Sequence, residues 1–251
     1  MRTFETILIL AFICNCYYYK LQMLKENVSN ILERVGRAAV RAGRSPGDIK
    51  LVAVTKTVDI DTIREAINAG LRILGENRVQ EAQRKISKLK AQISNAKIEW
   101  HLIGHLQKNK AKYALQLFDL IHTVDSVSLA EELNRQAEKA GKVQRILVQV
   151  KLSEEETKHG ASEEALMAIL GRIRELGNLR AEGLMTIPPF FEDPEKARPY
   201  FRKLRELRDE AESAGFGLPE LSMGMSGDFE AAIEEGATLV RIGAALFGER
   251  K

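Results

Sequence analysis

The sequence predicts an α/β protein, a single (β/α)8 TIM barrel with an extra N-terminal helix. Short apolar segments alternate with helical segments along the chain, and strict alternation of this kind favours a parallel sheet. Eight strand-like segments can be counted, which favours closure into a barrel over an open sheet. The length of 251 residues is also close to the roughly 250 residues that such a barrel occupies as one domain.

The first strand shows why these segments are interpreted as strands. Residues 51–54 are apolar without a break and rich in valine; the run is too short for a helix and is typical of a strand buried on both faces. The predicted strands cover residues 51–56, 71–75, 99–103, 120–124, 145–150, 179–185, 220–223 and 238–242.

The segments between these strands have helical periodicity and helix-boundary residues. Asp59 can cap the helix that follows the first strand, and helical segments end at Gly70, Gly141, Gly177 and Gly236, as helix-terminating glycines do. The predicted helices begin near residue 24 and then cover about 59–70, 78–93, 108–117, 126–140, 162–176, 194–214 and 228–235.

Residues 1–22 do not fit this pattern. We interpret them as an extension outside the barrel domain of residues 23–251, with translation beginning at Met23 and the extension being a start-site artefact or a disordered tail. The apolar run at residues 7–13 is too short to span a bilayer, which requires about 20 residues. Membrane targeting by this extension is the alternative interpretation.

Composition and charge narrow the class of protein. Lys and Arg total 38 against 35 Asp and Glu. This balance lacks the excess of basic residues that is typical of proteins that bind nucleic acid or an anionic membrane. We therefore expect neither a nucleic acid nor a membrane as a partner. We also expect a cytoplasmic location and a monomer. His101 and His105 flank the third strand, but with no third ligand in reach we expect no metal site.

Residues that follow parallel strands meet at one mouth of a barrel. Lys56 ends the first strand, where desolvation would favour the neutral amine that attacks a carbonyl carbon. Ser226 opens a helix, and Gly243-Ala244 follow the last strand, where many barrels bind phosphate. Singly, these residues mark a strand end, a helix cap and a turn. Together they favour a phosphorylated aldehyde, either pyridoxal 5'-phosphate (PLP) or a sugar phosphate on a Schiff-base aldolase.

Five strings favour the first of these ligands because they resemble the YggS/PROSC family of pyridoxal phosphate homeostasis proteins. The resemblance spans residues 24–249, and the strings occur in the family's order. They are LVAVTK at 51–56, GENRVQE at 75–81, WHLIGHLQKNK at 100–110, LSMGMS at 221–226 and RIGA at 241–244. The family's fold is a single barrel like the N-terminal domain of alanine racemase, in agreement with the strand count.

The resemblance also implies a role for each site residue. It implies that Lys56 carries PLP as a Schiff base, and that Arg241 faces the pyridine nitrogen. The implied phosphate contacts are Ser226, Gly227, Gly243 and Ala244. The implied contacts to the ring are Asn77, Met223 and Met225. The family often has a second lysine and a proline soon after the Schiff-base lysine. Thr57-Val58-Asp59 stand there in this chain, so the role of that lysine is not transferred.

The expected arginine bears on catalysis. PLP is the better electron sink when its ring nitrogen is protonated, usually by an acidic group, and an arginine leaves it unprotonated. Alanine racemase has the same arginine but adds a catalytic tyrosine from a second domain, which this sequence does not show. We therefore expect a non-catalytic PLP carrier in vitamin B6 homeostasis, affecting amino-acid metabolism, with PLP-dependent apoenzymes as partners. A low-activity amino-acid racemase is the alternative.

Overall fold

The computed structural model describes residues 2–90, 97–153, 155 and 159–249, with side chains described from residue 22 onward. Eight strands pair in the order of the sequence, and the last pairs with the first to close a barrel. All of these pairings are parallel. The predicted fold class is confirmed.

The strands lie within a few residues of their predicted positions. They are β1 (Lys50–Val54), β2 (Ile73–Glu76), β3 (Glu99–Leu102), β4 (Leu120–Val124), β5 (Gln144–Gln149), β6 (Leu179–Met185), β7 (Glu220–Ser222) and β8 (Leu239–Ile242).

Helices separate consecutive strands. They are α1 (Arg2–Arg41), α2 (Ile60–Asn68), α3 (Val79–Lys90), α4 (Ala111–Leu117), α5 (Val127–Lys139), α6 (Glu163–Glu175), α7 (Arg198–Ser213), α8 (Phe229–Glu234) and α9 (Ala244–Phe247). The helix expected from residue 24 begins at Arg2 instead, and α9 was not expected, because four residues are too few to show helical periodicity. The predicted end of α3 near residue 93 lies outside the described residues.

Both faces of the sheet are buried, which accounts for the unbroken apolar strands. Val52 of β1 packs inside the barrel with Leu120, Leu147, Met185 and Leu239. Its neighbours Leu51 and Ala53 belong to the larger core between the sheet and the helices. Because side chains alternate along a strand, covering both faces of β1 buries successive apolar residues and not every second one.

The extra helix α1 packs against the last two helices of the chain. Arg34 pairs with Glu230 at 2.9 Å, and its guanidinium carbon lies 4.7 Å from the centre of the Phe229 ring. Asn27 donates a hydrogen bond to the Leu246 carbonyl at 3.1 Å. Among the helices that the structure describes, none combines the length and apolar character needed to cross a membrane.

Candidate functional site

A cavity of about 560 Å³ opens at the carboxyl ends of the strands. It collects all of the predicted site residues except Met223. The predicted residues that line it are Lys56, Asn77, Met225, Ser226, Gly227, Arg241, Gly243 and Ala244.

Met223 lies behind the cavity, in the core between sheet and helices. The backbone explains this placement: Met223 N–H donates to the Leu239 carbonyl at 3.1 Å, so alternation persists one residue beyond β7. Ser222, with its Oγ bonded to Arg241, occupies the inner position, which leaves Met223 the outer one. The expectation that Met223 contacts a ligand does not match this placement.

An apolar wall of the cavity was not identified from the sequence. Ile187, Phe190 and Phe191 follow β6 and line the cavity, while Val54 and Ile103 add apolar surface from β1 and the end of β3. Phe190 is 87% exposed. The adjacent pair of phenylalanines just beyond a strand end was the available signal, since a pocket for a planar ligand usually has aromatic walls.

Lys56 lies on a tight turn just after β1. The turn begins at Thr55, whose N–H donates to the Gly75 carbonyl at 2.9 Å and whose carbonyl accepts from Val58 N–H at 3.0 Å. Thr57 has a positive φ of 61°, uncommon for a residue with a side chain. The Lys56 side chain is exposed, so the expected desolvation is not observed, and its suitability rests on its position in the cavity.

A buried ammonium group holds this turn from the side of α3. Lys85 Nζ donates to the Thr55 carbonyl at 2.6 Å, to Glu76 Oε1 at 2.8 Å and to Glu81 Oε1 at 2.7 Å. Glu81 Oε1 also accepts the backbone N–H of Thr57 at 2.6 Å. The two residues that flank Lys56 are therefore tied to one lysine and its two carboxylates.

The two carboxylates differ in their environments. Burial raises the pKa of Glu76 above its ordinary value, in spite of its bonds to Lys85 and Thr55. Partial burial acts in the same direction on Glu81, but its bonds to Lys85 and to the Thr57 amide outweigh it, and its pKa is lowered. Glu76 Oε2 is buried without a hydrogen-bond partner among the described residues. Lys85 lies within ion-pair distance of both carboxylates, and of the two we infer that Glu76 takes up a proton more readily.

Asn77 lies in the cavity with an unsatisfied acceptor. Its Oδ1 atom is buried and has no hydrogen-bond partner among the described residues, although buried polar atoms are nearly always paired. The loop after β3 packs tightly against it, because a Cβ atom on Gly104 would lie 2.3 Å from the Asn77 carbonyl oxygen. A ligand group that donates a hydrogen bond would satisfy Asn77.

The loops after β7 and β8 are joined at Ser226. Its Oγ accepts the backbone N–H of Gly243 at 3.2 Å and of Ala245 at 3.3 Å. The turn into this loop requires Gly224, which has a φ of +90° and whose added Cβ would lie 2.6 Å from the Cβ of Ala232. The Ser226 hydroxyl and the Gly243 backbone therefore lie together at the cavity. A phosphate oxygen that replaced Ser226 Oγ as the acceptor would receive charge-assisted hydrogen bonds from these groups.

Arg241 lines the same cavity from inside the barrel. Its Nη1 donates to Ser222 Oγ at 2.5 Å, and its Nη2 donates to the Thr186 carbonyl at 2.9 Å. Burial lowers the pKa of Arg241 to about 10, against the opposing effect of Asp228. The guanidinium therefore remains charged near neutral pH and offers only hydrogen-bond donors.

A chain of hydrogen bonds runs from Ser222 through the barrel interior. Its Oγ lies 2.9 Å from His122 Nδ1, and His122 Nε2 lies 3.0 Å from His101 Nδ1. His101 Nε2 lies 3.5 Å from Glu99 Oε2 at the start of β3. The bond from His101 lowers the pKa of Glu99 to about 2. His105 is not part of this chain, since it lies at the mouth, so the two histidines that flank the third strand do not converge.

The buried histidines predict a loss of stability in mild acid. Burial lowers the pKa of His101, and that of His122 well below its ordinary value. Each therefore stays neutral in the folded state but binds a proton in the unfolded state. The free energy of unfolding has its full value above pH ~6.5. Below that pH, each histidine lowers it by up to about 1.4 kcal/mol for every pH unit. Urea unfolding at pH 7.5 and 5.5 measures this loss.

A variant tests the contribution of one histidine. His122→Gln should reduce the difference between the two pH values, because the unfolded state then has one proton fewer to bind. His105→Gln removes an exposed histidine and is the matched control. Equal unfolding free energies of the unmodified protein at the two pH values would contradict the prediction.

Comparison with protein families and with curated relatives gives a consistent result. Residues 20–251 match the family model for the N-terminal domain of alanine racemase. A pyridoxal phosphate homeostasis protein of Aquifex aeolicus (strain VF5) is 51% identical over 227 residues, which cover 90% of this chain and 98% of the relative. A protein of the same name from Escherichia coli (strain K12) is 39% identical over 233 residues, covering 90% and 97%.

Solved structures show the same barrel. PipY of Synechococcus elongatus, determined with PLP bound, superposes with a TM-score of 0.76 at 40% identity, covering 87% of this chain and all of PipY. An alanine racemase of Clostridium difficile 630 gives a TM-score of 0.72 at 17% identity, over 91% of this chain and 57% of the racemase. The second likeness is one of fold alone.

Proposed function

The chain belongs to the family of pyridoxal phosphate homeostasis proteins, and we propose that it binds PLP in the cavity at the barrel mouth, attached to Lys56. One observation carries this proposal: the cavity is lined by a lysine amine together with the Ser226 hydroxyl and the backbone of Gly227, Gly243 and Ala244. PLP supplies an aldehyde for the amine and a phosphate for the donors. The proposed site lies in the barrel of residues 23–251.

The cavity fits the remaining parts of this ligand. The buried Oδ1 atom of Asn77 can accept a hydrogen bond that the described protein residues do not provide. The apolar surfaces of Ile103, Ile187 and Phe191 can cover a planar ring. Met225 and Gly227 also belong to the lining, whereas Met223 is left out of the proposed contacts because it faces the outer core.

The character of Arg241 supports a carrier rather than a strong catalyst. Because its guanidinium stays protonated near neutral pH, it can donate a hydrogen bond to a ring nitrogen but is a poor source of a proton for it. PLP stabilises carbanions less well when that nitrogen is not protonated. The proposed function is to hold PLP and pass it to apoenzymes, keeping the vitamin B6 pool in balance. The monomeric state and the cytoplasmic location remain predictions from the sequence.

Covalent trapping tests the proposal. The protein is incubated with PLP, reduced with borohydride, digested and analysed by mass spectrometry, and we expect the adduct on the peptide that contains Lys56. Pyridoxal, which lacks the phosphate, should label the same lysine only at much higher concentration. An adduct on a different lysine would show that the attachment point is wrong, and equal labelling by the two compounds would contradict the phosphate contacts.

Proton exchange distinguishes the carrier from a racemase. The PLP-loaded protein is incubated with L-alanine and separately with D-alanine in deuterated water, and exchange at Cα is followed by NMR. We expect exchange close to the rate with free PLP, since the proposed contacts include no acid for the ring nitrogen. Rapid exchange that depends on Lys56 would favour the racemase.

A further inference from the structure

Three metal-ligating side chains meet at the barrel mouth outside the proposed PLP cavity. They are His105, Asp125 and His159, which follow β3, β4 and β5, respectively. One potential ligand atom from each lies within 4.8 Å of those of the other two. The described lining of the PLP cavity includes none of them. The cluster is therefore a separate feature of the molecule and does not depend on the proposed function.

The backbone that carries each side chain is held by hydrogen bonds. Thr123 Oγ1, two residues before Asp125, donates to the Gly104 carbonyl next to His105 at 2.8 Å. Gln149 Nε2 donates to the His159 carbonyl at 2.8 Å, and the Ala161 N–H donates back to the Gln149 carbonyl at 2.8 Å. The backbone next to His105 and Asp125, and that of His159 itself, is thus tied to neighbouring segments, as surrounding hydrogen bonds hold the residues of ion-binding sites.

The three side chains are close together, but the imidazole rings must turn before the three can share an ion. The imidazole rings of His105 and His159 are stacked, with their centres 3.8 Å apart and their planes at 11°. His105 Nδ1 lies 3.6 Å from Asp125 Oδ2, too far for a hydrogen bond, while Ser126 Oγ donates to Asp125 Oδ1 at 3.2 Å. Tetrahedral ligands about 2.0–2.1 Å from zinc lie roughly 3.3 Å apart. Both histidines are exposed, so ring rotations can close the difference.

We propose that His105, Asp125 and His159 bind a divalent transition-metal ion, zinc in particular. Two imidazoles and one carboxylate are a ligand set that zinc accepts, with the fourth position open to water or to an exchangeable ligand. The sequence led to the opposite expectation because His105 was considered together with His101, the other histidine that flanks the third strand, and no third ligand was recognised. His159 comes from a loop two strands further on, and Asp125 from the strand between them.

A zinc titration with isothermal calorimetry tests this site on the full-length, untagged protein. The unmodified protein should bind one equivalent of zinc. His105→Ala, Asp125→Asn and His159→Ala should each weaken binding at least tenfold, because even the loss of an outer-shell partner weakens metal sites by about 10–100-fold. The titration is run with and without PLP, because PLP can itself bind metal ions.

A control and a spectrum separate a built site from adventitious binding. Asp61→Asn removes an exposed carboxylate on α2 and should leave the affinity unchanged. Cobalt(II) should give visible absorption bands of a four-coordinate ion that are lost in His159→Ala. Zinc binding that survives all three ligand substitutions, or that Asp61→Asn weakens equally, would overturn the proposal, as would the absence of stoichiometric binding.

Discussion

Replacing Lys56 with alanine should abolish the visible absorbance of the bound cofactor and leave only weak, reversible affinity for PLP. The substitution removes the one amine that we propose for covalent attachment, while the proposed phosphate contacts at Ser226, Gly227, Gly243 and Ala244 remain. Ser226→Ala should have the complementary effect. It deletes one hydrogen bond to a charged group, worth about 1.5–3 kcal/mol, which weakens binding by roughly ten- to a hundredfold, but the absorbance returns at saturating PLP.

Absorption spectra and equilibrium dialysis on each variant distinguish the two effects. Lys151→Ala is the matched control, because this lysine follows β5 and lies outside the proposed contacts. It should behave like the unmodified protein. If Lys56→Ala kept the absorbance, or if Lys151→Ala lost it, the assignment of the attachment point would be wrong.

Replacing Lys85 with methionine should lower the free energy of unfolding by about 3–5 kcal/mol, the usual effect of breaking a buried ion pair. Methionine has a similar length but cannot donate to the Thr55 carbonyl, Glu76 or Glu81. The buried acceptors are left unpaired, and the turn that carries Lys56 loses its support. Urea denaturation measures the loss in stability, and PLP dialysis should show a parallel loss of affinity.

Two further variants establish the cause. Adding Glu76→Gln to Lys85→Met removes the buried carboxylate and should recover part of the lost stability, since residues in contact are energetically coupled. Lys88→Met replaces an exposed lysine on the same helix and should change stability little. A destabilisation by Lys85→Met no larger than that by Lys88→Met would show that the buried network contributes little.

The barrel could be predicted because its information is local. Each strand is a short apolar run, and each intervening helix has an apolar face or a boundary residue. The mouth followed from topology, because parallel strands place their carboxyl ends together. A position just after a strand or near its end was therefore enough to assign four residues to one cavity, namely Lys56, Ser226, Arg241 and Gly243.

The remaining features depend on contacts that sequence periodicity does not reveal. The inward or outward direction of Met223 is set by how far sheet pairing continues past β7. The support of the Lys56 turn depends on Lys85, which in the sequence is one of several lysines on an ordinary surface helix. The partners of His105 come from two other loops, so their proximity is a property of the closed barrel.

The closure of the barrel also determines when the PLP site can form. Its attachment lysine follows β1, whereas Arg241 and the amides near Gly243 belong to the last strand and the turn after it; β1 and β8 are paired, with Val52 opposite Arg241. The site therefore depends on contacts between distant parts of the chain, which form late because long loops must be closed first. During synthesis, a chain that has not yet released β8 from the ribosome has the lysine but not all of its phosphate contacts. We therefore expect high-affinity PLP binding to begin only after β8 and the turn that follows it have emerged.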